Sequence, residues 1–312
     1  MLKELTRLDR RAFVSLCGAA AADAAFGFEP VAAQGPSPIT RAIPASGERL
    51  PVIGMGSWIT FHVGDNAAER AIRVEILRQF FSRGGALIDS SPMYGLSEEV
   101  IGYCLKRLAN SAALFSATKV WTVGALLGVS QMKHSQYLWG GDGFDLMQIH
   151  NLVDWKTHLE TLLRWKEEGR IRYIGITTSH GRRHDELVNI LLSEPIDFVQ
   201  FTYNILDREA ESRLLPVAAD RGVAVIINRP FRRGVLLDRL RGKPLPEWAD
   251  EFDCVNWPQF LLKFIVSHPD VTCAIPATSQ VVHMQENMGA NIGGLPDRRA
   301  RQGMIRYVES LI

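Results

Sequence analysis

The 312-residue chain is short of several things, and each shortage argues against a class of function. It has no charge excess: 35 Lys+Arg stand against 34 Asp+Glu, a formal charge of +1. Without a basic surplus there is no long-range field to hold a polyanion, which argues against a nucleic-acid binder. The four cysteines, Cys17, Cys104, Cys254 and Cys273, are too few for a disulfide-stapled scaffold. No CxxC or Cys/His cluster has the spacing of a zinc site, so no metal site is expected. No GxGxxG follows an apolar run, which weighs against a doubly wound dinucleotide fold. Beyond the N-terminal segment nothing approaches the roughly 18 apolar residues of a membrane span. Apolar residues themselves are plentiful. At 46% hydrophobic against 22% charged, the composition is that of a globular protein and not of a disordered one.

The N-terminus has the layout of an address. A charged stretch ends at Arg10-Arg11, an Ala-rich and weakly apolar run continues to about Phe28, and Val31-Ala32-Ala33 offers small residues for cleavage after Ala33. Arg10-Arg11-Ala12-Phe13 resembles a bacterial twin-arginine (Tat) signal. Asp23 lowers the hydrophobicity of the run, which suits that route better than the Sec route. Residues 1–33 hold Lys3, Arg7, Arg10 and Arg11 against Glu4, Asp9, Asp23 and Glu29, so their removal leaves the net charge unchanged. It also leaves three cysteines, an odd number, and no disulfide is expected. The expected organisation is a signal over 1–33, a turn-rich linker over 34–46 and one domain over 47–312. The Tat translocon is the partner during export, and the periplasm is the expected location.

Past residue 46 the chain repeats one unit about eight times. Ser46-Gly47-Glu48-Arg49 reads as a hairpin turn ahead of the apolar run Leu50 to Met55. Candidate strands begin near Val52, Ala86, Ala113, Leu146, Tyr173, Phe198, Val223 and Thr272. Most are about 25 to 33 residues apart, the size of a β-loop-α unit. Runs such as Val223-Ala224-Val225-Ile226-Ile227 are continuously apolar, as strands buried on both faces must be. Between them lie amphipathic helical patterns. Ile72, Ile76, Phe80 and Phe81 share a face on a helix opened by Asn66, with Glu69 spaced for a capping box. Leu159, Leu162 and Leu163 mark another, stopped at Gly169. Eight such units in this length predict an α/β protein of the (β/α)8 TIM-barrel class, with a doubly wound sheet as the weaker alternative.

In such a barrel the chemistry sits where strands end. The second run ends at Asp89, with Tyr94 five residues on; the third ends at Lys119; the fourth ends at His150-Asn151. Singly, each has a bland reading as a cap, a solvent-seeking lysine or a core histidine. As a set, four ionisable residues on neighbouring strand ends must crowd together. A buried Lys119 needs a carboxylate, and Asp89 is the one at hand. An ammonium beside Tyr94 would stabilise its phenolate and lower its pKa, and His150 could orient a carbonyl oxygen. This is an apparatus for protonating a carbonyl oxygen while something else attacks the carbon. No Ser or Cys elbow is evident, so a hydride cofactor is the economical reading.

With these residues in view, the chain resembles the aldo-keto reductase superfamily from Leu50 to about Ile292. The segments that carry the resemblance occur in order. They are GMGSW (54–58), the stretch from Asp89 to Glu98 with MYG at 93–95, ATK (117–119), QIHN (148–151), EEGRIRYIGIT (167–177), QFTYN (200–204) and IPATS...EN (275–287). The resemblance implies a barrel that binds NADP(H), with Tyr94 as general acid supported by Lys119, Asp89 and His150. It implies that Gly56, Ser57, Trp58 and Gln200 lie beside the nicotinamide. Thr177 and Thr178 stand where the family has Ser-Asn, and Asn228, next to Arg229, stands where an aromatic often stacks. At the adenine end Thr278, Glu286 and Asn287 match, while Ala277 and His283 replace basic residues, which leaves NAD(H) as the alternative dinucleotide. The substrate would be a small-molecule carbonyl compound. Trp58, Trp121 and Trp139 are candidates for an apolar pocket. Two classes of function remain open: an exported oxidoreductase, and a non-catalytic dinucleotide-binding or redox-sensing protein of the envelope. Export has a direct test. Replacing both arginines, Arg10→Lys and Arg11→Lys, is expected to hold the protein in the cytoplasm. Fractionation that finds the double variant in the envelope as efficiently as the parent would contradict the twin-arginine reading.

Overall fold

The computed structural model describes residues 37–312 apart from residue 110. The candidate signal over 1–33 lies outside the described residues. The eight apolar runs form eight parallel strands: β3 (Met55–Gly56), β4 (Leu87–Asp89), β5 (Phe115–Val120), β6 (Phe144–Ile149), β7 (Ile171–Thr177), β8 (Phe198–Thr202), β9 (Ala224–Asn228) and β10 (Cys273–Ala274). Neighbours pair in chain order, and parallel bridges Ile53–Ala274 and Gly56–Ala277 join the last strand to the first. The fold is therefore a (β/α)8 barrel, and the doubly wound alternative is excluded. The first and last strands are short, and they approach closely. A Cβ at Gly56 would sit 3.0 Å from the Ile275 carbonyl oxygen.

Strand periodicity divides each run between two cores. One set of positions, including Leu87, Phe115, Ala117, Leu146, Tyr173, Phe198 and Ile226, fills the barrel interior. The alternate set, including Ile88, Met147, Ile174, Val199 and Val225, packs with the surrounding helices in a larger cluster. The interior is floored by an antiparallel hairpin of β1 (Thr40–Ala42) and β2 (Arg49–Pro51), whose Ile43 and Leu50 join the interior cluster. This hairpin begins inside the stretch over 34–46 that reads from sequence as linker. Thr40–Ala42 is too short to announce itself as a strand and becomes one by pairing with β2. The turn itself stands where expected, with Gly47 at φ +75.

The helices follow the sequence patterns with local differences. On α1 (Ala67–Ser82) Asn66 accepts from the Glu69 N–H at 3.1 Å. Glu69 pairs with Arg73 (2.5 Å), a residue on its own helix. Ile72 is 38% exposed, so the buried stripe is Ile76, Leu77, Phe80 and Phe81. α4 (Trp155–Glu167) buries Leu159 and Leu162 and stops before Gly169, at φ +71. α2 (Ser97–Leu105) and α3 (Ala125–Trp139) meet so closely at Gly102 that any Cβ there would overlap the Leu138 carbonyl oxygen. The long interval after β9 holds α7 (Val235–Leu240) and precedes α8 (Trp257–Val266), and α9 (Val281–Gly289) follows β10. Among the described residues no helix is long and apolar enough to cross a membrane. Cys104, Cys254 and Cys273 are free and buried, and burial pushes all three thiols up, to about 12, 11 and 12.

Candidate active site

Above the apolar floor the inward positions turn polar. Asp89 ends β4, Lys119 is the fifth residue of β5, Gln148 lies on β6 and Gln200 on β8. Lys119 Nζ donates to Asp89 Oδ2 at 2.5 Å and to the Ser90 carbonyl at 2.7 Å. Asp89 Oδ1 accepts from Gln148 Nε2 at 2.8 Å and from Gln200 Nε2 at 3.0 Å. Lys119 is 0% and Asp89 2% exposed, so neither charge could be borne without these partners. Burial alone would lower the Lys119 ammonium, but Asp89 and Tyr94 together more than offset it and hold the group above its usual value. Gln148 is a site residue that sequence reasoning missed. Its signal was Gly175 on the next strand, where a Cβ would come within 2.8 Å of Gln148 Cγ. Glycine in mid-strand leaves the room that this side chain occupies.

Tyr94 closes a short 3-10 turn, Pro92–Tyr94, that follows β4. Its half-buried ring has Lys119 Nζ 5.0 Å from the centroid and meets the His150 ring edge-on at 5.7 Å. Lys119 acts on the Tyr94 hydroxyl in the direction expected from sequence, but burial outweighs it. Burial raises the Tyr94 hydroxyl; Lys119 opposes the rise, Asp89 adds to it, and the net position is above the ordinary phenol value of 10.0. The group therefore stays protonated at neutral pH, the state that an acid must be in. His150 is held neutral, its pKa pushed down to about 3 by burial and by the Lys119 charge. Ser91, also missed from sequence, sits 2.9 Å from His150 Nδ1 through its hydroxyl, which accepts from the Met93 N–H at 3.2 Å. Where that hydroxyl donates to Nδ1, the neutral imidazole carries its proton on Nε2, free to donate to a carbonyl oxygen.

These groups open into a cleft of about 1200 Å³. Its lining brings together Gly56, Ser57, Trp58, Asp89, Tyr94, His150, Thr177, Thr178, Gln200, Asn228, Arg229, Thr278, His283, Glu286 and Asn287. Of the catalytic and cofactor residues expected from sequence, Lys119 alone lies behind the wall. Several are already engaged. Ser57 Oγ reaches Ser90 Oγ at 2.8 Å, and Thr177 Oγ1 accepts from the Asn151 N–H at 3.3 Å. Thr278 Oγ1 accepts from the Gln280 N–H at 3.1 Å, which fixes the turn into α9. Asn228 is locked, with Nδ2 donating to the Thr178 carbonyl at 2.9 Å and Oδ1 accepting from Thr202 at 2.7 Å.

Others are open. Thr178 Oγ1 is buried with no partner. Arg229 and Arg233 pair with no carboxylate among the described residues, whereas Arg232 is bound to Asp207. Arg233 lies over the Trp58 indole at 4.2 Å. Burial and the neighbouring Arg233 and Arg232 charges lower the Arg229 guanidinium. The tryptophans divide. Trp58 lines the cleft, and Trp121 stands 42% exposed with its ring 6.4 Å from that of His150. Trp139 does not line this cleft: it is 6% exposed, packs against Phe144, and donates to the buried Glu98 at 3.3 Å.

The family model described as "Aldo/keto reductase family" matches residues 52–300. The chain belongs to the aldo/keto reductase family. Among curated relatives of this family, the methylglyoxal reductase YeaE of Escherichia coli (strain K12) is 26% identical over 244 residues, 76% of this chain and 84% of the relative. Among solved structures, the holo form of aldo-keto reductase AKR11C1 from Bacillus halodurans superposes with a TM-score of 0.71 at 22% identity, covering 87% of this chain and 96% of that one. An aldo-keto reductase from Klebsiella pneumoniae in complex with NADPH gives a TM-score of 0.68 at 21% identity, over 86% and 95%.

The titration states of this aldo/keto reductase site make a pH prediction. Carbonyl reduction needs Tyr94 protonated, and a raised pKa keeps it so. His150, neutral above about 3, does not titrate in the working range. The reductive rate should run level from about pH 5 to 9 and fall only as the phenolate forms above 10.0. Alcohol oxidation, which needs the phenolate, should rise over the same interval. A break in the reductive profile at the ordinary imidazole value of 6.5 would contradict a buried neutral His150.

Proposed function

We propose that this protein is an NADP(H)-dependent reductase of small-molecule aldehydes and ketones, and that it also oxidises the corresponding alcohols. The observation that carries the reading is the buried Lys119–Asp89 pair behind a half-buried, protonated Tyr94, with neutral His150 edge-on to it. The set offers two donors to one oxygen, the Tyr94 hydroxyl and the His150 Nε2–H. Donors fixed before the reaction need no reorganisation as charge develops on that oxygen. His150 orients the carbonyl, Tyr94 gives up its proton, and Lys119 stabilises the phenolate left behind. Asp89, held by Gln148 and Gln200, keeps the lysine in place and in register.

A dinucleotide suits the open groups of the cleft. Thr178 Oγ1 lacks a partner, and Gln200 Oε1 has only a 3.4 Å contact from Asn228. Both suit a carboxamide near Gly56, Ser57, Trp58 and Thr177. Arg229 and Arg233 can meet phosphate charge, and Thr278, His283, Glu286 and Asn287 lie along the remaining wall. Bound there, NADP(H) supplies the reducing equivalent that the carbonyl carbon receives. The Klebsiella pneumoniae relative solved with NADPH and the methylglyoxal reductase activity named for the Escherichia coli relative support this reading. Ala277 and His283, neither of them Lys nor Arg, keep NAD(H) as the alternative. The proposal extends to location: the Arg10-Arg11 segment supports export of the enzyme through the Tat translocon to the periplasm.

Tyr94→Phe keeps the ring and removes the hydroxyl. Dinucleotide affinity should survive, while methylglyoxal reduction falls by about 10²–10⁴-fold, the usual contribution of a general acid. Lys119→Met should also cripple turnover, because it strands Asp89 without its charge partner. The double variant should be little worse than either single one, since the two residues act as a unit. Turnover numbers for the three variants decide the matter. Wild-type-like turnover in Tyr94→Phe would falsify the mechanism and leave a dinucleotide-binding role as the better account.

A further inference from the structure

Three carboxylates are buried among the described residues: Asp89, Glu98 and Asp197. Asp89 is paired with Lys119, and Asp197 with Lys166 at 2.6 Å. Glu98, 1% exposed, is held by neutral donors instead. Thr118 Oγ1 donates to its Oε1 at 2.5 Å, Ser135 Oγ to its Oε2 at 2.8 Å, and Trp139 Nε1 to its Oε1 at 3.3 Å. Burial holds the Glu98 carboxyl above its ordinary value, although these donors and the Lys119 charge oppose the rise. An apolar side chain would fill this place without that cost. What a satisfied polar group adds is a fixed distance and direction.

The helices are built to bring the donors in. Glu98 and Gly102 lie four apart on α2, and Ser135 and Trp139 lie four apart on α3, so each pair shares one helix face. Gly102, with no Cβ, lets α3 come close enough for both of its donors to reach the carboxylate. The third donor comes from the barrel. Thr118 faces outward on β5, one residue before the inward-facing Lys119.

Glu98 thereby joins the two halves of the proton donor. Tyr94 is not on a strand: it ends the short turn Pro92–Tyr94 and is followed by Gly95 at φ +63. Ser97 Oγ donates to the Tyr94 carbonyl at 2.8 Å. The next residue is Glu98, whose bond from Thr118 crosses to β5, and the residue after Thr118 is Lys119. Two neighbouring pairs, Ser97-Glu98 and Thr118-Lys119, thus span the path from the acid to the charge that acts on it. Asp89 and the Ser90 carbonyl fix the ammonium at the far end of that path.

We propose that Glu98 is a positioning residue for the proton donor. Through Ser97 on one side and Thr118 on the other, it holds the Tyr94 turn at its working distance from Lys119. Glu98 does not line the cleft, and its part is placement and not charge. This role presupposes the reductase function proposed above.

Four variants of the full chain test it. Glu98→Leu removes the carboxylate at similar volume. Glu98→Gln keeps an oxygen for Thr118 and Trp139 and gains an amide that can donate to Ser135. Thr118→Val and Ser135→Ala each take one hydroxyl from Glu98, but only Thr118 lies on the path to Lys119. The readouts are kcat and KM for methylglyoxal with NADPH, the melting temperature, and the titration of labelled Tyr94 by NMR, which needs no turnover. In Glu98→Leu and Thr118→Val, kcat should fall about ten- to a hundredfold with KM little changed, the scale of a misplacement of about 1 Å. Tyr94 should titrate higher in both, as the influence of Lys119 weakens. Glu98→Gln should restore both readouts. Ser135→Ala should lower the melting temperature as Thr118→Val does, and leave kcat and the Tyr94 titration in place. Wild-type kcat and Tyr94 titration in Thr118→Val would overturn the proposal. Equal losses of kcat in Thr118→Val and Ser135→Ala would reduce the cluster to a support of the fold and overturn it too. Glu98→Gln as impaired as Glu98→Leu would assign the role to charge, against placement. Should Glu98→Leu not fold, the comparison of Thr118→Val with Ser135→Ala decides. A wild type that reduces no carbonyl would refute the reductase, and the Tyr94 titration in these two variants would still uphold or overturn the placement.

Discussion

The ion pair between Lys119 and Asp89 is the interaction on which the rest of the site depends. Two opposite charges sit almost entirely out of water, a placement that burial opposes on both sides. The barrel offsets the cost with four hydrogen bonds around the pair, from Lys119 to Asp89 and Ser90 and to Asp89 from Gln148 and Gln200. Removing one member of such a pair costs about 3–5 kcal/mol, because the other is left charged and buried. The pair is thus a structural commitment as well as a chemical one. Its consequence is directional: a positive charge is fixed 5.0 Å from the centre of the Tyr94 ring, and no rearrangement is needed to put it there.

The barrel makes that commitment possible through strand periodicity. Parallel strands in register put every second residue inside, and the interior changes from Phe115, Ala117, Leu146 and Phe198 to Lys119, Gln148 and Gln200 within two residues along each strand. The apolar floor and the Ile43–Leu50 hairpin beneath it keep that end of the interior packed with side chains. Above the charged layer, loops supply what strands cannot: Tyr94 and Ser91 from the turn after β4, His150 from the end of β6.

This geometry explains how much of the site was legible in the sequence. Asp89, Lys119 and His150 each end or nearly end an apolar run, so their convergence could be inferred once eight units were counted. Tyr94 came with Asp89 through the five-residue step. Gln148 was hidden because a glutamine inside a strand has no marker of its own; only the glycine opposite it discloses the space. Ser91 was hidden because its partner, His150, is 59 residues away. Trp139 misled because an aromatic near a loop can face either way, and here the close α2–α3 contact turns it into the core. The sign of the Tyr94 shift was also beyond the sequence: Lys119 acts as expected, but the depth of burial that outweighs it exists only after folding.

The central claim is that Lys119 sets the acidity of Tyr94 from behind the cleft wall. It is tested most directly by titrating Tyr94 itself, with ring-carbon-labelled tyrosine followed by NMR and the resonance assigned through Tyr94→Phe. In the wild type the hydroxyl should titrate above 10.0, and in Lys119→Met it should move higher still, because the largest opposing influence is gone. A Tyr94 resonance that keeps its titration point in Lys119→Met, or moves lower, would contradict the account.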